Sequence, residues 1–323
     1  MPVISSTYSG PPFYLFNGHF ETIIPSLFRK IEGVNYRREK IKTPDEDFLN
    51  LDWSTVGSDS LLIISHGLEG DSERHYVQGL VKLFNSKGID VLVWNNRSCG
   101  GEMNLQPILY HHGSSYDLDT VIQYTLALNR YKDIFLSGIS MGGAQTLSYL
   151  GQKGNKLAQE IKLAAVYSTP CNLPSSAETL KRRKNLFYKN RFLGKLKKKM
   201  ALKGAQFPDL IDLKLLETVN DFDQFDTHFT AKLHGFKDAS DFYHSVSPDQ
   251  WMPNITIPTL VVNALNDPLL GEACYPIELA EKKKEIILEM PKRGGHTGFA
   301  QSGDEFTWVE YRVLDFILSK SRL

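Results

Sequence analysis

Short unbroken apolar runs, each bounded by polar residues, constrain this chain more than any other feature. Leu61-Leu62-Ile63-Ile64-Ser65, Ile89-Asp90-Val91-Leu92-Val93-Trp94, Ile134-Phe135-Leu136-Ser137 and Leu163-Ala164-Ala165-Val166-Tyr167 are of this kind. So are Thr259-Leu260-Val261-Val262 and Ile286-Ile287-Leu288 late in the chain. A strand covered on one face alternates apolar with polar residues, whereas one covered on both faces reads as a continuous apolar run. Between the runs lie helical stretches. His75 to Lys87 carries Val77, Leu80, Val81 and Phe84, and Asp117 to Asn129 carries Leu118, Val121, Ile122 and Leu128. Strands alternating with helices predict an α/β fold with a mostly parallel central sheet flanked by helices.

The rhythm breaks after Pro170. From Leu173 to about His244 there is no clean strand, only helical patterns and a dense basic run. This predicts a helical cap over about residues 171–244, inserted into one domain whose core takes about 39–170 and 245–323. A single domain is compatible with 323 residues in an α/β architecture. Residues 1–38, rich in Pro, Gly and aromatics, read as an arm laid over the body. Burial of Phe13, Tyr14, Phe16, Phe20 and Phe28 is expected there. Arg37 to Trp53 reads as two strands joined by the turn Thr43-Pro44-Asp45-Glu46-Asp47.

Lys plus Arg is 37 and Asp plus Glu is 37, a balance that argues against a nucleic-acid partner. Cys99, Cys171 and Cys274 are an odd number without zinc-type spacing, so no disulfide framework is expected and burial as small hydrophobes is. The N-terminus lacks a basic region followed by an apolar run. No stretch of about 20 apolar residues occurs. These features give the expectation of a soluble, cytoplasmic protein. His111-His112 has no spaced Asp, Glu or Cys partners, so no metal is expected there.

The chemistry centres on Gly138-Ile139-Ser140-Met141-Gly142-Gly143, which follows one apolar run and precedes a helix. A serine hydroxyl becomes a useful nucleophile only when exposed and beside a base, and a sharp strand-to-helix turn lifts it to the top of a sheet. His66-Gly67-Leu68-Glu69-Gly70 follows an earlier strand. An acyl-transfer site needs two N–H donors aimed at the developing oxyanion, and Leu68 and Met141 are the candidates. The acid should come next in chain order and the histidine last. Asp267 lies just past the Thr259–Val262 run, with Asp249, Asp241 and Asp238 as weaker rivals. His296, in Gly294-Gly295-His296-Thr297-Gly298, is the only histidine after Asp267. Further candidates for the substrate pocket and its loops are His66, Gly67, Arg97 and Cys99. For Arg97 an ion pair with Glu102 or Asp117 is the competing expectation.

Several motifs resemble the YheT-like branch of the α/β-hydrolase superfamily. Phe16-Asn17-Gly18-His19-Phe20-Glu21-Thr22 resembles its Asn-Gly-His-x-x-Thr motif. Asp45 to Trp53 is similar to its Asp-Gly-Asp-x-x-x-Leu-x-Trp hairpin, with Glu46 in place of the Gly. Asn96-Arg97-Ser98-Cys99-Gly100-Gly101-Glu102-Met103-Asn104, then Tyr110-His111-His112-Gly113 and Asp117, resemble its central segment. Phe225-Asp226, Gly235-Phe236 and Asp241-Phe242-Tyr243 resemble its cap-to-core region. The resemblance implies an α/β-hydrolase fold, a triad of Ser140, Asp267 and His296, and carboxylesterase or lipase-like hydrolysis. The expected substrates are short- to medium-chain acyl esters or lipid-like esters, and two-step acyl transfer on such a triad needs no metal or organic cofactor. A thioesterase or amidase on the same triad is the alternative, and a non-catalytic ligand-binding member of the fold is a further one.

Residues 181–203 carry many Lys and Arg and no acid, with Phe187, Tyr188, Phe192, Leu193 and Leu196 interleaved. Such a pattern suits either weak peripheral contact with an anionic membrane or a solvated helix with a core-facing aromatic side.

Overall fold

The computed structural model describes residues 2–321. Its sheet contains β1 (Val3–Ile4), β2 (Arg37–Lys42), β3 (Phe48–Ser54), β4 (Ser60–Ser65), β5 (Asp90–Asn95), β6 (Asp133–Ile139), β7 (Ile161–Tyr167), β8 (Thr259–Val262) and β9 (Ile286–Glu289). The strands lie in the order β1-β9-β8-β7-β6-β4-β5-β3-β2. The β2–β3 and β3–β5 pairs are antiparallel and every other pair is parallel.

The continuous apolar runs are explained by cover on both faces. Leu61 and Ile63 of β4 face a core shared with α3 (Ser115–Ala127) and α4 (Met141–Lys153). Leu62 and Ile64 of the same strand face a second core built by α2 (His75–Asn85) and the C-terminal helix Trp308–Ser321. After β4 the chain crosses to β5 on one side, then returns to β6 on the other. Ligands of open α/β sheets bind at such a reversal, outside the carboxyl ends of the strands.

Between β7 and β8 lie only helices, from α5 (Leu173–Lys181) and α6 (Leu186–Gln206) through the helix Ala239–Val246. They carry an apolar cluster of their own, including Leu193, Leu196, Met200, Phe225 and Phe229. Among the described residues, no helix is long and apolar enough to cross a membrane.

The arm departs from expectation. It contains α1 (Gly18–Phe28), N-capped by Asn17, whose side chain accepts the His19 and Phe20 N–H groups. Its aromatics are not buried: Phe13 is 93% exposed, Phe28 70% and Phe16 62%. Rings pair locally instead, Phe13 with Tyr14 and Phe16 with Phe20. The arm is anchored by Leu15 and by the polar side chains Glu21 and Thr22, all buried. Polar contacts to two loops, described below, add to the packing of Tyr8 against Phe299 and Trp308.

Candidate active site

Ser140 stands at the tip of β6 as the N-terminal residue before α4, with φ 55° and ψ −120°. A non-glycine residue at positive φ is strained, and such strain persists only where the surroundings over-determine it. Here the Ser140 N–H donates to the Tyr167 carbonyl at 3.0 Å, and the Ser140 carbonyl accepts from Gly143 and Ala144. Gly142 is required by a neighbouring strand. A Cβ there would strike the Ser65 and His66 carbonyls at the end of β4. A Cβ at Gly138 would instead meet Gly142 and Gly143 across the turn itself.

Three loops at the same end of the sheet complete the site. His296 Nε2 lies 2.9 Å from Ser140 Oγ, and His296 Nδ1 lies 2.8 Å from Asp267 Oδ2. The other Asp267 oxygen accepts the Leu269 N–H at 2.8 Å, which fixes the carboxylate's orientation. Of the rival acids, Asp238 caps the helix Ala239–Val246 and Asp249 accepts from Asn172.

The loop after β4 folds as a turn closed by Gly70 N–H to the Gly67 carbonyl, 2.9 Å. Gly67 N–H donates to Tyr76 Oη at 3.2 Å, and Glu69 N–H donates to Tyr110 Oη at 2.8 Å. The N–H of Leu68, between them, has no acceptor among the described residues, nor has that of Met141 in the first turn of α4. Both residues belong to segments that touch Ser140. Gly67 packs against the Ser140 side chain, where a Cβ would come within 3.2 Å of Ser140 Cβ.

Two lobes of one cleft meet at Ser140 and His296. The first is lined by Gly67, Arg74, Tyr76, Arg191 and Lys195, among others. The second is mostly apolar, with Leu173, Ala177, Leu180, Phe192, Phe222 and Leu270 on its walls. Leu68, His112, Phe222, Asp226 and Tyr243 connect it to a deeper cavity beneath α6.

Three expected pocket residues are not in the pocket. His66 is fully buried. Its Nδ1 lies 2.8 Å from the Gly67 carbonyl and its Nε2 accepts the Asn96 N–H at 3.1 Å. Burial pushes its imidazole down to about 4, so it is a neutral brace between the loops after β4 and β5. Arg97 is 2% exposed and binds Asp45 at 2.6 Å, Asp117 at 2.8 Å and Asp47 at 3.1 Å. Glu102, the other expected partner, pairs with Lys40. Arg97 therefore ties the β2–β3 turn to α3 and lines neither lobe. Cys99 is buried beside Tyr110 and Met141, and burial raises its thiol to about 11. Cys171 and Cys274 are buried as expected.

Glu21 was missed. It is 1% exposed and accepts from Arg293 Nε at 2.6 Å, from the Gly294 N–H at 2.5 Å and from Asn266 Nδ2 at 3.1 Å. Next to it, Thr22 Oγ1 accepts the His296 N–H at 2.9 Å. Asn266 Oδ1 in turn accepts the Gly295 N–H at 3.0 Å. The first turns of α1 thus hold together the loops that carry Asp267 and His296. Only glycine fits at Gly295, where φ is 58° and a Cβ would meet Glu21, Gly18 and Thr22 at 2.8 Å. The one signal in the sequence was Glu21's place beside the Asn-Gly-His motif.

The basic run is largely consumed inside the chain. Lys199 pairs with Glu69, Lys181 with Glu178 and Asp223, and Lys197 donates to the Glu217 and Val219 carbonyls. Lys203 is buried against the Asn104 and Gln106 carbonyls. Arg182, Arg183 and Lys184 remain exposed without an acidic partner among the described residues.

The sheet order, the strained serine turn and the two loops facing it define an α/β-hydrolase. Within that class the chain belongs to the serine aminopeptidase S33 family, Hydrolase_4, whose model matches residues 57–274, and it is a YheT-like member. It is 29% identical to phospholipase ABHD3 of Homo sapiens over 310 residues, 93% of this chain and 75% of that protein. It is 28% identical to Escherichia coli K12 YheT, which carries an esterase name, over 309 residues, 93% of this chain and 90% of that protein. Among solved structures, an esterase from Pyrococcus furiosus shares the fold with a TM-score of 0.60 at 17% identity, covering 90% of this chain and 96% of that one.

Proposed function

We propose that the chain is a serine carboxylester hydrolase acting through Ser140, His296 and Asp267. The observation that carries this reading is the line of two hydrogen bonds, Ser140 Oγ to His296 Nε2 at 2.9 Å and His296 Nδ1 to Asp267 at 2.8 Å, at the junction of two cleft lobes. His296 takes the Ser140 proton as the oxygen attacks the ester carbonyl. Asp267 holds the imidazole's tautomer and stabilises its charged form. The N–H groups of Leu68 and Met141 receive the oxyanion. His296 then protonates the leaving alkoxide, and a water deprotonated by His296 clears the acyl-enzyme. No step needs a metal or cofactor. The apolar lobe and the deeper cavity beyond it suit a medium or longer acyl chain. The esterase and phospholipase names of the relatives support an ester over an amide or thioester.

Ser140→Ala is expected to lower kcat on p-nitrophenyl esters by roughly 10⁶-fold, as for other serine triads. A fluorophosphonate probe should label the wild type alone. Labelling that persists in Ser140→Ala removes Ser140 from the mechanism.

The same reading includes weak contact with a lipid surface. Exposed Phe13, Phe16, Phe28 and Phe187 lie on the arm and α6, and Ile23, Ser26 and Phe187 border the first lobe. With Arg182, Arg183 and Lys184 nearby in the chain, they supply the apolar and cationic parts of an interfacial surface.

A further inference from the structure

The polar lobe has a wall with more positive charge than the protein itself neutralises. α2 begins at His75 behind the N-cap residue Arg74, with no side-chain cap and no acid in its first turn. Helix N-termini ordinarily carry an acid or a hydroxyl there, because their free N–H groups attract negative charge. The His75 and Tyr76 N–H groups have no acceptor among the described residues. Across from them α6 brings Lys195 and Arg191 to the same lobe. Arg74 Nη2 donates to the Glu69 carbonyl at 2.8 Å, and Lys195 Nζ approaches that same oxygen at 3.5 Å. Two cations therefore share one neutral acceptor.

The acids nearby are committed. The Glu69 carboxylate takes Lys199 at 2.8 Å and Tyr110 Oη at 2.6 Å. Asp71 pairs with Arg74 at 3.7 Å, which leaves Lys195 and Arg191 without an acidic partner among the described residues. Burial and the Arg74 guanidinium, with Arg191 and Lys199 beyond it, hold the Lys195 ammonium below its usual range against the opposing pull of the Glu69 carboxylate. His75 adds an independent sign. It is 8% exposed, lines the lobe, and its Nδ1 is buried with no partner. Burial and the Arg29 and Arg74 guanidiniums keep its ring neutral, at about 3. A buried polar atom without a partner is uncommon in a folded protein and calls for a ligand or water.

We propose that Arg74, His75, Arg191 and Lys195 form an anion subsite that takes the phosphate or carboxylate on the alcohol part of the ester, while the acyl chain fills the apolar lobe. This rests on the ester-hydrolase reading. The bound anion would accept from the free N–H groups of α2, neutralise Lys195 and Arg191, and bring the ester carbonyl to Ser140. Anion binding at a helix N-terminus flanked by cations follows from the same electrostatics.

The test uses the full chain and two monomeric substrates with one acyl chain: 1-acyl-glycerol and 1-acyl-glycerol 3-phosphate. The phosphate ester should have the higher kcat/KM. Lys195→Gln and Arg191→Gln should each lower the ratio of the two kcat/KM values by about tenfold, the size of one charged hydrogen bond. Lys195→Arg should restore it. A carboxylate analogue, 1-acyl-glycerate, shows whether phosphate or any anion is selected. Equal kcat/KM for the charged and neutral esters, or a ratio untouched by both substitutions, overturns the subsite. Cleavage of p-nitrophenyl esters in that case leaves the hydrolase reading standing. Calorimetry with glycerol 3-phosphate reads the subsite without turnover. Binding by the wild type that Lys195→Gln abolishes supports the subsite even if no ester is cleaved, and no binding overturns it.

Discussion

Glu21→Ala tests whether the N-terminal arm builds the site or merely covers it. The substitution removes one carboxylate that receives Arg293, Gly294 and Asn266 at 2.5–3.1 Å. Breaking a buried ion pair by deleting one partner costs about 3–5 kcal/mol. Arg293 is 38% exposed on its side chain and can turn to water, so the lower end, about 3 kcal/mol, is the expected loss. The functional effect follows from position. Asn266 precedes Asp267, and Gly294 is two residues before His296, so the loops that carry both proposed triad partners lose the same anchor. Displacing a reacting group by about 1 Å costs on the order of 100-fold in rate. We therefore expect kcat on p-nitrophenyl butyrate to fall 10- to 100-fold with KM nearly unchanged, because Glu21 lines neither lobe. Urea unfolding gives the stability loss, and rates are taken where both proteins are folded. Glu21→Gln keeps an acceptor for Gly294 and should fall between the two. A Glu21→Ala protein destabilised by about 3 kcal/mol yet within twofold of wild-type kcat would refute the positioning role.

Other outcomes follow from the same interactions. Arg97→Leu leaves Asp47 and Asp117 buried without their cation and should cost about 3–5 kcal/mol in urea, while kcat of the folded enzyme stays near wild type. Burial raises the Asp226 carboxyl from 3.8 to about 6, although Thr230 and Tyr243 donate to it. The fold thus favours the protonated acid, and this contribution, complete below pH 4, is lost as pH rises through 6. Asp226→Asn keeps one of these bonds on its carbonyl oxygen and reverses the other, its amide N–H donating to the second hydroxyl. It should match the wild type in stability at pH 4 and exceed it at pH 8 by up to about 3 kcal/mol; equal stability at pH 8 counts against this. Phe13→Ser with Phe28→Ser should reduce co-sedimentation with anionic vesicles, and wild-type binding indifferent to anionic lipid would remove the lipid surface.

The strands, the serine turn and the order of Ser140, Asp267 and His296 were legible in the sequence because each is a local pattern. A run such as Leu61–Ser65 reports cover on both faces without naming what covers it. Gly138-Ile139-Ser140-Met141-Gly142 reports a turn that few backbones can make, and the fold supplies the chain order of the remaining groups. The sequence could not say which polar residues near these motifs face a ligand. His66 and Arg97 sit in the right loops, yet one braces two loops and the other bridges three aspartates from elsewhere in the chain. Their direction depends on partners up to 52 residues away. The arm's aromatics were expected inside because large rings usually are, but Glu21 and Thr22 had already taken the contacts that fix the arm. The charged wall arises in the same way. Arg74 and Lys195 look like ordinary surface residues in their own helices. Only the packing of α6 over the start of α2 brings them to one oxygen beside the Ser140 cleft.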